Sequence, residues 1–331
     1  MTNNLLKYSL IHLFPTLKCN LYCQYCYSNS NYIGSDENPS LLKRICQEVN
    51  KLEIGTIHIE GGETFFNNNI FIILENLKTT DNVSVFIVTN ATMITDDIAL
   101  KVKSYGIKNI IVSMDGDEKT HNLLRKNSYQ KVLNGIKILK KYNFIIDIST
   151  TLNKLNLNQM DFIVTKSIEM GINKVRFGDV INTGRNENNI EDILLDGNDY
   201  KKIISKYKEL NSNQVSILLN LSLQRGILFK NVSVIDIKQS EDSIISADCS
   251  MGKDQLAILP NGDVYPCYNV VTKNECKIGN IFEHSGGIIE MINNSNYLQK
   301  LKNAQHINCP VNTGGHCYIG SHRMVDGFNK L

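Results

Sequence analysis

The chain has 331 residues, of which 42% are hydrophobic and 21% charged, and its formal net charge is +2. That length supports one large core or a barrel-sized domain with a small appendage, and the dispersed, balanced charge excludes a nucleic-acid-binding face and a polybasic membrane anchor. No apolar run reaches membrane-spanning length, and the N-terminal "MTNNLLKYSLIHLF" lacks a basic leader with a small-residue cleavage site, so the expected location is the cytoplasm, with no nucleic-acid or membrane partner.

Along the chain, "YSLIHLF" reads as a strand and "LLKRICQEVNKLEI" as a helix; "TIHIE" is a strand, "NIFIILENLK" a helix and "VSVFIVTN" a strand. "TDDIALKVKSYG" is a helix that Thr95 can cap and Gly106 can end. "NIIVSMD" is a strand, "YQKVLNGIKILKKY" a helix, "FIIDISTTLN" a strand, "LNQMDFIVTKSIEMG" a helix closed by Gly171, and "KVRFGDV" a sixth strand. Six β-then-α units predict a parallel sheet with right-handed crossovers. The predicted fold is α/β, a partial (β/α)6 TIM-like barrel in preference to a doubly wound sheet. Residues 182–198 read as a polar, Asn-rich loop, followed by a helix, "DYKKIISKYKEL", and a strand, "QVSILLNLSL". From about Asp248 the texture changes to short strands, turns and cysteines. The expected domains are therefore a barrel over 1–235 and a small cysteine-rich extension over 236–331.

Nine cysteines in a reducing compartment point to metal binding or chemistry before disulfides. Cys19, Cys23 and Cys26 cluster at the start and Cys249, Cys267, Cys276, Cys309 and Cys317 at the end, with only Cys46 apart, which implies two sites. The first three follow the first strand as C-x3-C-x2-C, at the sheet end where such folds build their sites. A structural zinc ion takes four ligands, and so commonly does a [4Fe–4S] cluster. Three thiolates leave one iron open for a small ligand, while a zinc knuckle would need a distant fourth ligand.

This loop resembles the signature of the radical SAM superfamily. The resemblance implies S-adenosylmethionine bound to the open iron of a [4Fe–4S] cluster, its reductive cleavage to a 5′-deoxyadenosyl radical, and hydrogen-atom abstraction from a substrate. Tyr25, before the third cysteine, takes the place of the family's adenine-side residue. "HIEGGETFF" resembles the Gly-Gly-Glu motif, which assigns Gly61, Gly62 and Glu63 to the methionyl amino group, with Thr64 where proline is usual. "VTNAT" resembles a Thr-Asn-Gly segment in which Asn90 lines the site and Ala91 replaces the glycine. "VSMDG" followed by His121 and Arg125 resembles a recurrent pattern that assigns Ser113 to the ribose or carboxylate and Arg125 to the carboxylate, with His121 structural. "STTLNK" brings Thr151 or Asn153 near the ribose, and "VRFGDVINTGR" ends in a Gly184-Arg185 pair common in one subgroup.

"CSMGKDQLAILPNGDVYPC" reads as a hairpin with a Pro-Asn-Gly turn, bringing Cys249 and Cys267 to its open end. It resembles the start of the SPASM and twitch extensions, which carry auxiliary iron–sulfur clusters. With Cys309 and Cys317 from "CPVNTGGHCYIGSHR", the thiolates suffice for one auxiliary cluster of the [4Fe–4S] type, and four cysteines on loops also suit zinc. Cys276 is a ligand, a hydrogen-atom donor or inert, and Cys46 a buried helix residue.

The resemblance implies an enzyme that abstracts a hydrogen atom from a ribosomally made peptide to form a crosslink, a thioether or an epimerised residue. The peptide is held by the barrel or delivered by a separate leader-binding protein, and flavodoxin or ferredoxin is the expected electron donor. The alternatives are dehydrogenation of a small alcohol or of a Ser or Cys side chain, and a non-enzymatic iron–sulfur or zinc protein. Maturases that oxidise Ser or Cys hold an aspartate directly after the cysteine ending the hairpin; here that residue is Tyr268.

Overall fold

The computed structural model describes residues 6–33, 38–78, 82–185, 192–210, 215–221 and 251–303. Six parallel strands follow one another in order: β1 (Lys7–Leu13), β2 (Glu53–Ile59), β3 (Ser84–Thr89), β4 (Asn109–Ser113), β5 (Ile145–Leu152) and β6 (Lys174–Asp179). A seventh, β7 (Ser216–Asn220), extends the sheet parallel to β6. The helices between them are α1 (Pro39–Val49), α2 (Asn69–Asn76), α3 (Asp96–Ser104), α4 (Glu118–Leu124), α5 (Tyr129–Lys141), α6 (Met160–Glu169) and α7 (Gly197–Glu209). The sheet stays open, so the architecture is the expected partial barrel.

Strand periodicity divides core from cavity. Ile11, Leu13, Ile57, Ile59, Val85, Ile87, Ile110, Val112, Ile146, Ile148 and Val175 are buried in the hydrophobic core. Each such side chain contributes about 1.5–3 kcal/mol when fully withdrawn from water. The alternate positions, among them His12, His58, Ser113, Thr151 and Arg176, line a cavity.

The caps read from sequence are in place. The Thr95 hydroxyl accepts from the Ile98 amide at 3.2 Å, and Gly106 and Gly171 take the left-handed conformation at φ +77° and +60°. Two elements differ from expectation. Helix α1 stops at Val49 with Asn50 as its C-cap, so Glu53–Ile54 of the predicted helix open β2 instead. Helix α4 was not assigned from sequence. Asp117 starts it by accepting from the Thr120 amide at 2.8 Å, and its seven residues are too few for a clear helical period.

The C-terminal region joins the same sheet. Strand β8 (Gln255–Ile258) pairs parallel with the outer edge of β1, and β9 (Asp263–Tyr265) and β10 (Gly279–Asn280) continue antiparallel. The predicted hairpin is therefore present, with Gly262 turning it at φ +85°. Helices α8 (Gly287–Asn294) and α9 (Asn296–Asn303) follow. Glu48 of α1 accepts from the Ile288 amide at 3.0 Å and fastens α8 to the barrel.

Candidate functional site

A cavity of about 470 Å³ opens at the carboxyl ends of the strands and is lined by Cys19, Cys23 and Cys26. Tyr25, Gly61, Gly62, Asn90, Ser113, Arg125 and Thr151, expected from the sequence at the cofactor site, line the same cavity. Residues from six strands and from loops more than 100 positions apart thus meet at one place.

The cysteine loop is fixed by backbone contacts that explain its neighbouring motifs. The Cys19 amide donates to the Asn31 carbonyl at 2.9 Å, closing the loop on itself. The Gly62 and Glu63 amides donate to the Thr16 and Lys18 carbonyls at 3.0 and 2.8 Å. A Cβ on Gly62 would lie 1.9 Å from the Lys18 carbonyl oxygen, so only glycine permits this approach. Gly184 plays the same part on the other side. At φ +65°, a Cβ there would meet the Cys26 and Tyr27 carbonyl oxygens at 2.4 and 2.3 Å. Arg185 then bonds the loop: its amide donates to the Cys26 carbonyl at 3.0 Å, its Nη1 to the Cys23 carbonyl at 2.6 Å and its Nη2 to that of Ser30. Its guanidinium also stacks 3.6 Å over the Tyr22 ring.

Asp115, fully buried, ties three motifs together and was not singled out from sequence, although it stands inside "VSMDG". Its Oδ2 accepts from the Tyr25 hydroxyl and Arg125 Nε, and its Oδ1 from the Thr151 amide at 3.0 Å. Burial works against the Arg125 cation, but the Asp115 carboxylate beside it holds it charged. His121 is structural, as expected. Its Nδ1 accepts from the Asp115 amide at 3.3 Å, and its Nε2 meets the Ser128 hydroxyl at 2.9 Å, which donates to the Arg125 carbonyl at 2.7 Å.

Three of the expected site residues do not line the cavity. Glu63 does not line the cavity; it is fully buried beneath it. Its Oε1 accepts from Thr89 Oγ1 at 2.5 Å and the Phe65 amide at 3.2 Å, and its Oε2 from the Asn90 amide at 2.7 Å, so it anchors the end of β3. Burial raises its pKa against these bonds. Asn153 also turns away, donating to the Thr151 carbonyl at 3.1 Å and accepting from the Leu155 amide at 2.9 Å, which leaves Thr151 as the cavity residue. Cys276 is fully buried in the hydrophobic core and does not line the cavity, so it is not placed to give a hydrogen atom to a radical there.

The two departures from the family pattern have local explanations. Thr64, in place of proline, donates its hydroxyl to the Val88 carbonyl at 2.6 Å. Ala91, in place of glycine, adopts φ +58°, the left-handed conformation a glycine would take without strain.

Burial pushes the Cys19 thiol up to about 12 and raises that of Cys23, where Arg125 opposes the shift. The three thiols ring one cavity, yet among the described residues no three His, Cys, Asp or Glu side chains converge as ligands of one metal ion. A single zinc ion draws its thiolates to a common centre at about 2.3 Å, whereas a cubane binds each thiolate through a different iron. Three thiolates on one loop are the donor set a cluster with one open iron would use. Of the second set, Cys267 is buried directly after β9, and Tyr268 and Asn269 beyond it line the cavity. Cys249, Cys309 and Cys317 lie outside the described residues. Cys46 packs between α1 and α2, fully buried.

Sequence reasoning missed a second group of cavity residues. His12 and Glu60 are hydrogen-bonded there, the Tyr268 ring lies 4.5 Å from that of His12, and Arg176 is held by Asp147 at 2.6–2.9 Å. The pairs join neighbouring strands from residues 48 and 29 positions apart in sequence, so no local motif announces them.

Comparison with known proteins agrees with this geometry. A profile of the radical SAM superfamily matches residues 13–166, and one of the iron–sulfur cluster-binding SPASM domain matches residues 249–318, together more than half of the chain. The AdoMet-dependent heme synthase of Methanosarcina barkeri is 24% identical, over 76% of this chain and 74% of its own. The sporulation killing factor maturation protein SkfB of Bacillus subtilis is also 24% identical, over 82% of this chain and 62% of its own, so the chain spans less than two thirds of that relative. Streptococcus suis SuiB, solved bound to its precursor peptide SuiA, shares the fold with a TM-score of 0.66 and 18% identity, over 92% of this chain and 69% of its own. The cofactors are S-adenosylmethionine and a [4Fe–4S] cluster, with auxiliary iron–sulfur binding at the C-terminal domain. A cysteine loop held open over a partial barrel, continued by a cysteine hairpin on the same sheet, is thus matched by both profiles, and the chain belongs to the radical SAM superfamily, among the enzymes that carry a SPASM domain.

Proposed function

We propose that this enzyme modifies a ribosomally made peptide, abstracting a hydrogen atom from one of its residues. The observation that carries the reading is the two-sided cavity. The cysteine loop with Asn90, Ser113, Arg125 and Thr151 forms one side, and a polar and aromatic wall of His12, Glu60, Tyr268 and Asn269 faces the interior beside it. Its size suits one cofactor and one side chain, which favours a residue presented from a longer chain. The names of the similar proteins SkfB and SuiB, the latter solved with a precursor peptide, support the same class.

Bound at the three thiolates, the cluster and S-adenosylmethionine supply the hydrogen-abstracting radical. The chain's own residues do the rest. Cys19, Cys23 and Cys26 hold the cluster. Tyr25, Gly61, Gly62, Asn90, Ser113, Arg125 and Thr151 orient S-adenosylmethionine, and the buried Asp115 and Glu63 keep that surface in place. Cys249, Cys267, Cys309 and Cys317 hold the auxiliary cluster. A flavodoxin or ferredoxin delivers the electron, and a separate protein or the barrel itself holds the peptide leader.

The likeness to a heme synthase favours, as second reading, a small-molecule substrate. Anaerobically reconstituted enzyme given S-adenosylmethionine and dithionite is expected to form 5′-deoxyadenosine. Short peptides encoded beside the gene are expected to raise that yield and to lose two hydrogens, or to gain deuterium from heavy water if epimerised. A yield raised by porphyrin precursors alone would favour the second reading, and no 5′-deoxyadenosine at all would overturn both.

A further inference from the structure

The wall beside the cysteine loop, reached through Tyr27, holds a polar pair that has been given no part in binding the cofactors. His12 lies on β1, in register with His58 on β2 and Ala257 on β8. It is 3% exposed and lines the cavity. Its Nδ1 is hydrogen-bonded to Glu60, and its Nε2 is buried without a partner. A buried polar atom without a partner is destabilising and calls for an explanation.

The hydrogen bonding shows which ring nitrogen is left open. Burial works to raise the Glu60 pKa, but His12, together with hydrogen bonds from His12 and Tyr27, outweighs it and holds the carboxyl below its ordinary value. A carboxylate only accepts, so the proton of this hydrogen bond sits on Nδ1, and Nε2 is the ring nitrogen left without a partner. His58, 5.5 Å away ring to ring, is kept neutral by burial, which pushes its pKa down to about 4. Arg176 is turned to Asp147, and the Tyr268 ring lies along the His12 face. The nearby Arg176 charge disfavours an ammonium group at this position, and the aromatic faces suit a neutral donor.

We propose that His12 Nε2 accepts the hydroxyl or thiol of the substrate, with Glu60 as the positioning residue that fixes the imidazole tautomer. The proton passes from the substrate oxygen or sulfur to Nε2, the bonding pair stays on the substrate, and Glu60 balances the imidazolium. The inference rests on the cavity being the substrate chamber of the enzyme proposed above. It names the reacting residue of the peptide as a serine, threonine or cysteine.

Nitrogen NMR of the reconstituted holoenzyme carrying labelled histidine tests this, the His12 signals being assigned by their loss in His12→Phe. Wild type is expected to show Nδ1 protonated and Nε2 unprotonated at neutral pH. In Glu60→Gln the amide can donate to Nδ1, and the proton is expected to move to Nε2. N-acetylserine amide and N-acetylcysteine amide are expected to shift the Nε2 resonance, and N-acetylalanine amide to leave it. A protonated Nε2 in wild type, or an equal response to all three probes, overturns the proposal. These spectra need no reductant, so they decide the role of His12 separately from whether 5′-deoxyadenosine forms.

Discussion

Arg125 sets its Nη1 4.0 Å from the Cys23 sulfur while its Nε binds the buried carboxylate of Asp115. One fixed cation thus faces a cysteine whose burial opposes thiolate formation, and one fixed anion keeps that cation in place.

Asp115→Asn keeps the shape and removes the charge. Breaking a buried pair by neutralising one partner costs about 3–5 kcal/mol. Urea denaturation is expected to show a loss of that order, and the iron bound per chain after reconstitution is expected to fall. An unchanged midpoint would show that the pair does not hold the loop.

Gly62→Ala forces a methyl group to within 1.9 Å of the Lys18 carbonyl unless the backbone moves. The strain falls on the segment leading into Cys19. The expected result is native-like circular dichroism with at least a severalfold loss of reconstituted iron. Full iron loading would mean that the segment yields without disturbing the cysteines.

Gly184→Ala and Arg185→Lys probe the opposite clamp. The first puts a side chain on a left-handed residue against the Cys26 and Tyr27 carbonyls. The second removes the fork that reaches the Cys23 and Ser30 carbonyls together. Both are expected to weaken S-adenosylmethionine binding, read by calorimetry on the reconstituted protein, with the glycine variant the more severe. Binding equal to wild type in both would refute the clamp.

His121 gives a pH signature. Burial pushes its pKa down to about 4 from an ordinary 6.5, and His58 shifts the same way to about 4. The unfolded chain therefore binds more protons than the folded one between these values. Stability is fully present above about pH 6.5 and is lost as pH falls towards about 4. Melting temperatures across this range should decline with acid, and His121→Gln should flatten the decline. A flat wild-type profile would contradict the buried, neutral imidazole.

Much of the barrel was legible in the sequence because its strands are apolar runs and its helices carry local signals, such as Thr95 before α3 and Gly171 after α6. Helix α4 was not, since seven residues carry no period, and the end of α1 was overrun because Leu52 and Ile54 continue an apolar pattern that Asn50 interrupts. Motifs gave positions but not directions. Glu63 and Asn153 stand where the patterns put them, yet their side chains face the protein. Asp115 was visible as a letter, but its role depends on Tyr25, Arg125 and Thr151 meeting in space. The His12–Glu60 pair depends on the pairing of β1 with β2 and has no local trace.

Strand β8 fills the outer hydrogen-bonding edge of β1, and β1 runs straight into the cysteine loop. Two strand spacings, about 10 Å sideways, separate β1 from β9, whose end leads to Cys267. The sheet acts as a ruler between the two groups of thiols. A chimaera that grafts another C-terminal region onto this barrel must reproduce the register Leu10 to Gln255, because a slip of one residue would swap the two buried faces of β8, and a graft without β8 would leave β1 a bare edge open to aggregation.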